Sequence, residues 1–427
     1  MFPIDARLCV MRTARGRSMT LSLDDETTAG TARGSRLAED ELVLRAQELR
    51  ELLVKEQEDT ERAGHYSERI HEAFADAGFY RILTPAAFGG LELGIGTFFR
   101  VVTEVARGNP SAAWCLALGA GHALPMASYW SAEAQREAFG EGRTFIAPHR
   151  NQGGFGKAVR VDGGYVVDCT FNYCSGVPFS THFMGTTLLQ NPDGPPSQLV
   201  VVVPRESYTV LDDWGNGRTL GMQGSGSNSV VLDNVFVPDH MAVPYNWHDH
   251  VGPTPGTELH DNPLYIGRLT AFYAGEVISV AIGTAQAALD EYESIIRTRT
   301  TLKEPRVLKM ETETAQRVLG RALILTDAAQ SIMADVGRLH TELATAALDG
   351  GAPFTYVEDT RLRGRVHQAG QLAIQAMDLI FPNAGSSAAR QGEPLQRYYR
   401  DMGMFRGHPT ALIDDLAVGH GRTHLGL

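Results

Sequence analysis

The segment Arg397–His408 reads Arg-Tyr-Tyr-Arg-Asp-Met-Gly-Met-Phe-Arg-Gly-His and belongs to the last helical pattern of the chain. It ends with a guanidinium at Arg406 and an imidazole at His408. An arginine side chain stays protonated in proteins, whereas a histidine can give and take a proton near neutral pH. His408 is therefore the candidate proton-transfer group of this segment, against the alternative that it is one of the many histidines with only a structural role.

Hydrophobic spacing divides the rest of the chain into helical and strand-forming parts. Apolar residues recur every three or four positions in the first third and the last third of the chain, which predicts helices. Between them the period falls to two and turn residues multiply, which predicts strands. The longer predicted helices run at about 96–107, 111–139, 265–298, 310–349, 356–381 and 394–419.

These patterns predict an α+β fold that is mostly α. The expected parts are a disordered leader at 1–36, an N-terminal helical domain at 37–143, a β-barrel-like domain at 144–247, a linker at 248–264 and a C-terminal four-helix bundle at 265–427. The leader is rich in Arg, Ser, Thr and Gly, so a transit peptide, or a true start at Met19, are the other interpretations of it.

The composition limits the partners of the protein. Its 427 residues are 43% hydrophobic and carry a formal net charge of −12, which argues against binding to nucleic acid or to an anionic membrane surface. No apolar run is long enough to predict a membrane span. Four scattered cysteines form no disulfide framework, which favours a reducing cytoplasm; they are Cys9, Cys115, Cys169 and Cys174.

Two further motifs carry a family resemblance. Gly78–Gly90 ends in Thr-Pro-Ala-Ala-Phe-Gly-Gly, and Gly221–Pro238 reads Gly-Met-Gln-Gly-Ser-Gly-Ser-Asn-Ser-Val-Val-Leu-Asp-Asn-Val-Phe-Val-Pro. With Arg397–His408, they resemble landmarks of the acyl-CoA dehydrogenases, whose helical domain, β-domain and four-helix bundle follow in this order. That family usually continues its Arg-x-x-Arg-Asp helix with Tyr-Glu-Gly-Thr, whose Glu is the catalytic base. Here Phe405-Arg406-Gly407-His408 stands in that place, so the resemblance implies the scaffold with different chemistry.

Within that superfamily the chain is more similar to flavin-dependent monooxygenases, namely the oxygenase components of two-component aromatic hydroxylases and the sugar N-oxygenases. The shared segments are Gly224–Val230, Phe171–Gly176 and Leu395–Asp401 followed by His408. Departures are Gln223 where those relatives usually carry Arg, and Cys174 where they carry Ser. The resemblance implies a homotetramer that takes reduced FMN or FAD from a separate reductase, reacts it with O₂ to a C4a-hydroperoxide, and hydroxylates an aromatic or oxidises an amine.

The resemblance also implies site residues. If the strand predicted over 165–175 alternates regularly, Tyr173 and Ser175 lie on one face, where the family places an aromatic against the flavin and a hydroxyl near N5. Ser227 belongs to the same expected flavin contact. His408 is expected over the flavin, and His122 on the substrate side of the ring. A plain core strand and core histidines remain the alternative interpretation.

A second group of residues is expected to hold the flavin phosphates. The family resemblance points to Arg297 and Arg299 late in the first bundle helix, and to the turn Gly385-Ser386-Ser387 reaching from a neighbouring subunit. Taken alone, these are a solvated helix end and an ordinary turn.

Two other functions stay open at this point. Glu276 lies in a segment resembling the alternative base position of a few acyl-CoA dehydrogenases, so it could restore dehydrogenation. A scaffold that kept the fold and lost the activity is the third hypothesis. His248-Asp249-His250 lies in a Pro-rich stretch without further paired ligands, so no metal site is predicted.

Overall fold

The computed structural model describes residues 39–151 and 156–427, so the predicted leader at 1–36 lies outside the described residues. The first part is helical: α1 at 39–48, α2 Arg50–Lys55, α3 Gln57–Ala63, α4 Glu68–Asp76, α5 Ile95–Gly108, α6 Pro110–Ala120, α7 Ala123–Tyr129 and α8 Ala132–Phe139. The single helix predicted at 111–139 was wrong. It is interrupted at His122, and Ser131 then caps a new helix by accepting a hydrogen bond from the amide of Ala134.

The central part is a single eight-stranded sheet within the described residues. The strands follow in the order β6-β7-β3-β2-β4-β5-β8, and β1 pairs with β4. Their bounds are β1 His149–Arg150, β2 Lys157–Val161, β3 Gly164–Phe171, β4 His182–Leu189, β5 Ser197–Pro204, β6 Thr209–Val210, β7 Val230–Pro238 and β8 Ala242–Pro244.

The alternation predicted along 165–175 was wrong in its second half. The β3 register shifts between Val167 and Cys169, and the strand ends at Phe171. Tyr173 then adopts a φ of +61°, a left-handed conformation that no strand continues through. Tyr173 and Ser175 are therefore placed by a turn, and regular strand pleating does not set their direction.

The last part is helical again: α9 Pro255–His260, α10 Thr270–Thr298, α11 Glu313–Leu348, α12 Tyr356–Ala384, α13 Pro394–Arg406 and α14 Ile413–Leu425. The predicted helix at 394–419 is thus two helices. Pro409 supplies no backbone N–H, and the His408 side chain accepts a hydrogen bond from the amide of Thr410, which turns the chain between α13 and α14. The predicted order of helical, sheet and helical parts is confirmed, and we propose the same domain limits for it.

Helix α10 forms the centre of the core between α5 and α12. Gly283 of α10 allows the close approach of α5, since a Cβ there would lie 2.2 Å from the carbonyl oxygen of Thr103 and 2.5 Å from the Cβ of Ala106. In length and composition α10 alone among the described helices could cross a membrane, but 94% of its apolar window is buried inside the protein. Burial in a core explains the same composition.

The Arg397–His408 segment ties the three parts together. Arg397 donates to Gln57 Oε1 and Glu61 Oε2, both at 3.0 Å, and Arg400 pairs with Glu61 Oε1 at 2.5 Å. Asp401 accepts the amide hydrogen of Met222 at 2.6 Å. Burial raises the pKa of Asp401 to about 6. The charged side chains Arg397, Arg400 and Asp401 therefore join α13 to the N-terminal helices and to the loop after β6.

Candidate active site

One cavity of about 730 Å³ lies where the three parts meet. Its volume is in the range of small-molecule sites. The sheet, α6, the beginning of α10, α12 and the α13–α14 turn all contribute to its walls. Those walls are rich in aromatic side chains: Trp114, Tyr173, Trp214, Tyr245, Trp247, Tyr273 and Tyr356.

Three serines form a chain of hydroxyls on one wall. Ser175 Oγ lies 2.6 Å from Ser227 Oγ, which lies 2.7 Å from Ser225 Oγ, and all three line the cavity. Three hydroxyls carry three donor hydrogens, and the two mutual hydrogen bonds use two of them. One hydroxyl hydrogen therefore remains available to a polar atom of a ligand.

Tyr173 stands beside this chain with most of its ring uncovered. Its exposed fraction is 63%, and its nearest aromatic neighbour is Trp214, met edge-on with ring centroids 5.8 Å apart. The left-handed backbone conformation costs free energy, and so does leaving the face of an aromatic ring exposed to water. A partner packed against the ring would offset these costs. The turn therefore presents Tyr173 to whatever occupies the cavity.

His408 lies across the cavity at the α13–α14 turn. The amide of Thr410 donates to its Nδ1, which leaves the proton of the neutral ring on Nε2. Trp114 packs edge-on against the imidazole at 5.4 Å. Burial, with a contribution from the Arg150 charge, lowers the pKa of His408 to about 4. His408 is thus a neutral hydrogen-bond donor near pH 7.

A second polar cluster surrounds the start of α10. His122 Nδ1 is hydrogen-bonded to the carbonyl oxygen of Ala147 at 2.7 Å, and its Nε2 lies 3.6 Å from Glu276 Oε1. His149 Nδ1 lies 2.8 Å from the Tyr273 hydroxyl. Burial, helped by the neighbouring His122 and Arg150, lowers the pKa of His149 well below its usual value. The cluster therefore offers a neutral imidazole at His149, the His122 imidazole and one buried carboxyl.

Arginines give this cavity a positive bias. The Arg150 side chain has no hydrogen-bond or ion-pair partner among residues 39–151 and 156–427. Arg268 is used structurally, because it donates to the carbonyl oxygen of Trp247 at 3.0 Å. Asp359 is also satisfied, since its oxygens accept the amides of Thr270 and Ala271 at the start of α10. Arg150 is thus the side chain here most in need of an anionic or electron-rich ligand.

Comparison with known proteins identifies the family. The N-terminal domain model of the acyl-CoA dehydrogenases matches residues 39–142, and the C-terminal domain model matches residues 277–411. The chain belongs to the acyl-CoA dehydrogenase superfamily.

Full-length relatives assign this superfamily member to a branch. It is 28% identical to a pigment production hydroxylase from a Rhodococcus species, over 82% of this chain and 88% of that protein. It is 26% identical to the flavin-dependent monooxygenase oxygenase subunit HsaA of Rhodococcus jostii, over 87% of this chain and 94% of the relative. The structure of XiaF from a Streptomyces species, solved with FADH2 and glycerol, matches with a TM-score of 0.82 and 26% identity over 93% of this chain and 98% of XiaF. The chain is therefore a member of the flavin-dependent monooxygenase branch, an oxidoreductase.

The cavity of this monooxygenase brings together five of the predicted site residues. They are His122, Tyr173, Ser175, Ser227 and His408. The predicted phosphate-binding residues do not line it. Arg297 pairs with Glu293 on the surface of α10, while Arg299 donates to Ser387, so the second arginine and the 385–387 turn meet away from the cavity.

Several residues of the monooxygenase cavity were not predicted from sequence. His149 and Arg150 form a two-residue strand, too short to give a periodic signal, and Trp247 sits at the edge of the predicted linker. The run Pro148-His149-Arg150, a cation and an imidazole at the entry to the sheet, was the signal available. Among the described residues, no group of three or more His, Cys, Asp or Glu is arranged to hold a metal ion.

Proposed function

We propose that the protein is the oxygenase component of a two-component system that hydroxylates an aromatic compound or oxidises an amine. The observation that carries the proposal is one aromatic-walled cavity with His408, the serine chain and His122 around the same space. Reduced FMN or FAD comes from a separate flavin reductase, and O₂ is the co-substrate. The acyl-CoA dehydrogenase alternative is less favoured, because the full-length relatives carry monooxygenase and hydroxylase names.

The lining residues fit a flavin ring. An uncovered aromatic at Tyr173 suits a planar ring system, and the remaining serine hydroxyl hydrogen suits a polar atom at its edge. A bound reduced flavin would supply the two electrons that split O₂ into one inserted oxygen atom and one water. His408 would donate a hydrogen bond from Nε2 to the reacting oxygen and stabilise the negative charge that develops there, and the aromatic walls would exclude water.

A direct experiment separates this function from its alternatives. The protein is mixed with chemically reduced FMN or FAD, isotopically labelled O₂ and a panel of phenols and arylamines. We expect a product carrying the label that requires reduced flavin. Bleaching of tightly bound oxidised FAD by an acyl-CoA, with no label in any product, would support dehydrogenation through Glu276, and lack of flavin binding would support a scaffold.

The assembly belongs to the same proposal. We propose a homotetramer in the cytoplasm, in which Arg299 and Gly385–Ser387 of one subunit bind the flavin phosphates of another. Support comes from their meeting outside their own cavity, and from exposed apolar side chains such as Leu302 at 94% and Ile324 at 69%. Light scattering coupled to gel filtration measures the subunit number, and a monomer that binds flavin as tightly as the assembly would contradict it.

Tyr173 gives a prediction for flavin affinity. Tyr173→Ala removes the ring and leaves the turn, so we expect the dissociation constant of the reduced flavin to rise about tenfold, the usual worth of one aromatic contact. Tyr173→Phe keeps the ring and should bind like the parent. Anaerobic fluorescence titration measures both, and equal affinity in the alanine variant would remove Tyr173 from the flavin site.

His408 gives a prediction for pH dependence. Its pKa of about 4 lies below the ordinary value, so the imidazole stays neutral from about pH 5.5 to about pH 8 and protonates only in more acidic solution. The maximal hydroxylation rate should show no step from His408 in that window and an acid limb below it. Arg150→Met removes a charge that disfavours the imidazolium, so the acid limb should move to higher pH. An unmoved limb would show that another group controls it.

A further inference from the structure

Arg150 places an unpaired positive charge on the wall of the active-site cavity. Its side chain is only partly exposed, and it forms no hydrogen bond or ion pair with the rest of residues 39–151 and 156–427. The four residues at 152–155 read Gln-Gly-Gly-Phe, so the adjoining sequence supplies no acid as a counter-ion. A cation withdrawn from water without a partner costs free energy, which a bound anion would offset.

The other two arginines of the cavity already have hydrogen-bond partners. Arg268 donates to the carbonyl oxygen of Trp247 at 3.0 Å. Arg363 donates from Nε to His367 Nε2 at 3.3 Å. Burial, together with the Arg363 charge, lowers the pKa of His367 to about 4, so this imidazole is a neutral acceptor. Within the described residues, Arg150 is thus the cavity arginine whose whole guanidinium group is free for a ligand.

The acidic side chains of the cavity do not neutralise this charge. Asp359 is buried, and its two oxygens accept the amide hydrogens of Thr270 at 2.8 Å and of Ala271 at 3.0 Å. Glu276 is buried next to His122, and burial raises the pKa of its carboxyl. In the part of the chain that the structure describes, no ion pair joins either acid to an arginine of the cavity. The cavity therefore has an excess of positive charge that an anionic ligand would balance.

The Arg150 charge affects groups on more than one wall of the cavity. Burial is the main cause of the lowered pKa values of His149 and His408, and the Arg150 charge adds to both effects. Burial also raises the pKa of the Cys174 thiol, which the Arg150 charge opposes. Cys174 directly precedes the serine chain, whereas His408 lies across the cavity from it. The guanidinium therefore acts inside the cavity, where an anion could reach it.

The proposed flavin contacts do not use Arg150. Tyr173 and the serine chain would bind the flavin ring, and Arg299 with Gly385–Ser387 of another subunit would bind its phosphates. The anion that Arg150 binds then belongs to the second ligand of the cavity, which is the substrate. A guanidinium group matches a carboxylate in geometry, since two parallel N–H groups can bind its two oxygens. The aromatic walls suit a flat apolar body attached to that carboxylate.

We propose that Arg150 determines substrate specificity by binding the carboxylate of an aromatic carboxylic acid whose ring packs against the aromatic walls of the cavity. The inference rests on the proposed function and names the charged group that its substrate carries. No bond is made or broken at Arg150, because the carboxylate exchanges water for the guanidinium group. The bound carboxylate balances the charge of Arg150 and fixes one end of the substrate, which holds the ring in one orientation for oxygen transfer.

The test uses 4-nitrobenzoate and its uncharged analogue 4-nitrobenzamide with the full-length protein in the absence of flavin. Both probes quench tryptophan fluorescence, and Trp114, Trp214 and Trp247 line the cavity. We expect the parent protein to bind the carboxylate about tenfold more tightly than the amide. Arg150→Met removes the charge and should bind the two probes equally. Arg150→Lys keeps the charge and loses the planar fork, so it should keep part of the preference.

Two control variants separate this site from other cations. Arg62→Met removes a surface guanidinium paired with Asp59, and the preference for the carboxylate should stay at the parent's level. Arg363→Met should also keep most of it, because Arg363 already has a partner. Equal binding of the two probes by the parent protein would overturn the inference. So would a preference that survives Arg150→Met and disappears in Arg363→Met.

A third measurement distinguishes another source of the anion, the ionised ring of reduced flavin. Reduced FMN is titrated anaerobically into the parent protein and Arg150→Met, and we expect similar affinities. An affinity about tenfold lower in Arg150→Met, with unchanged binding of 4-nitrobenzoate, would overturn the inference and place Arg150 in the cofactor site. Because the nitrobenzoate probes bind without flavin, their failure leaves the labelled-oxygen experiment independent, and failure of oxygen insertion leaves the carboxylate site standing.

Discussion

Replacing His408 with alanine is expected to lower the hydroxylation rate by at least about 100-fold, the usual contribution of one well-placed hydrogen-bond donor to a developing oxyanion. The affinity for reduced flavin should change less than about threefold, because the serine chain and Tyr173 stay in place. The imidazole is fixed between Thr410 and Trp114, so its Nε2 hydrogen has a defined direction. Single-turnover product formation from preloaded reduced flavin measures the rate without the binding step.

Two further variants test the cause of the lower hydroxylation rate expected for His408→Ala. Thr410→Val removes the hydroxyl contact of Nδ1 while keeping the ring, so a loss of about tenfold is expected from poorer orientation. His240→Ala removes an imidazole paired with Glu137 on the surface, and activity should stay at the parent's level. If His408→Ala lost flavin binding in proportion to rate, His408 would be a cofactor ligand instead of a hydrogen-bond donor to the reacting oxygen.

A large loss of stability is expected from Gly283→Ala. In Gly283→Ala the new methyl group would meet the Thr103 carbonyl oxygen at 2.2 Å and the Ala106 side chain at 2.5 Å. Neither neighbour can rotate away, so α5 must shift along the whole α10 contact. We expect the free energy of unfolding to fall by about 3 kcal/mol, the upper part of the range for overpacked cores.

Gly320 in α11 is the matched control. It is also a helical glycine, but a Cβ there would have nothing within 4 Å. Gly320→Ala should therefore raise the free energy of unfolding by about 0.5–1 kcal/mol through helix propensity alone. Denaturant unfolding of both variants measures the contrast. Equal changes in the two would show that α5 and α10 are less tightly packed than the structure has them.

The sequence predicted which helices and strands form more accurately than it predicted where they end. Hydrophobic period alone located α10, α11 and α12, because these helices are long and each has a buried face. It missed the break at Pro409, where side-chain capping competes with helix continuation, and the left-handed turn at Tyr173. At both places the local backbone conformation is decided by tertiary contacts, which the hydrophobic period does not reveal.

The residues that line the cavity were predictable only where they belonged to a sequence motif. His122 and His408 came from family motifs, and Tyr173 and Ser175 were named through a family motif and an alternation that the strand does not have. Arg150 was missed, because the run Pro148-His149-Arg150 is a weak signal without a periodic pattern and the importance of the arginine depends on its side chain lacking a partner in three dimensions. Glu276 was noticed as a buried acid, but its pairing with His122 requires two segments about 150 residues apart to meet.

The hydrogen bonds and ion pairs that Arg397 and Arg400 make with α3 join residues separated by 336 to 340 positions. During synthesis on the ribosome, Gln57 and Glu61 are made early. Their partners in α13 are made only when almost the entire chain has been synthesised. The N-terminal helices consequently cannot reach their final arrangement by themselves, and a nascent chain released before α13 would expose that unfinished surface to chaperones and proteases. Helix α13, near the end of the described chain, thus completes the packing of the N-terminal helices.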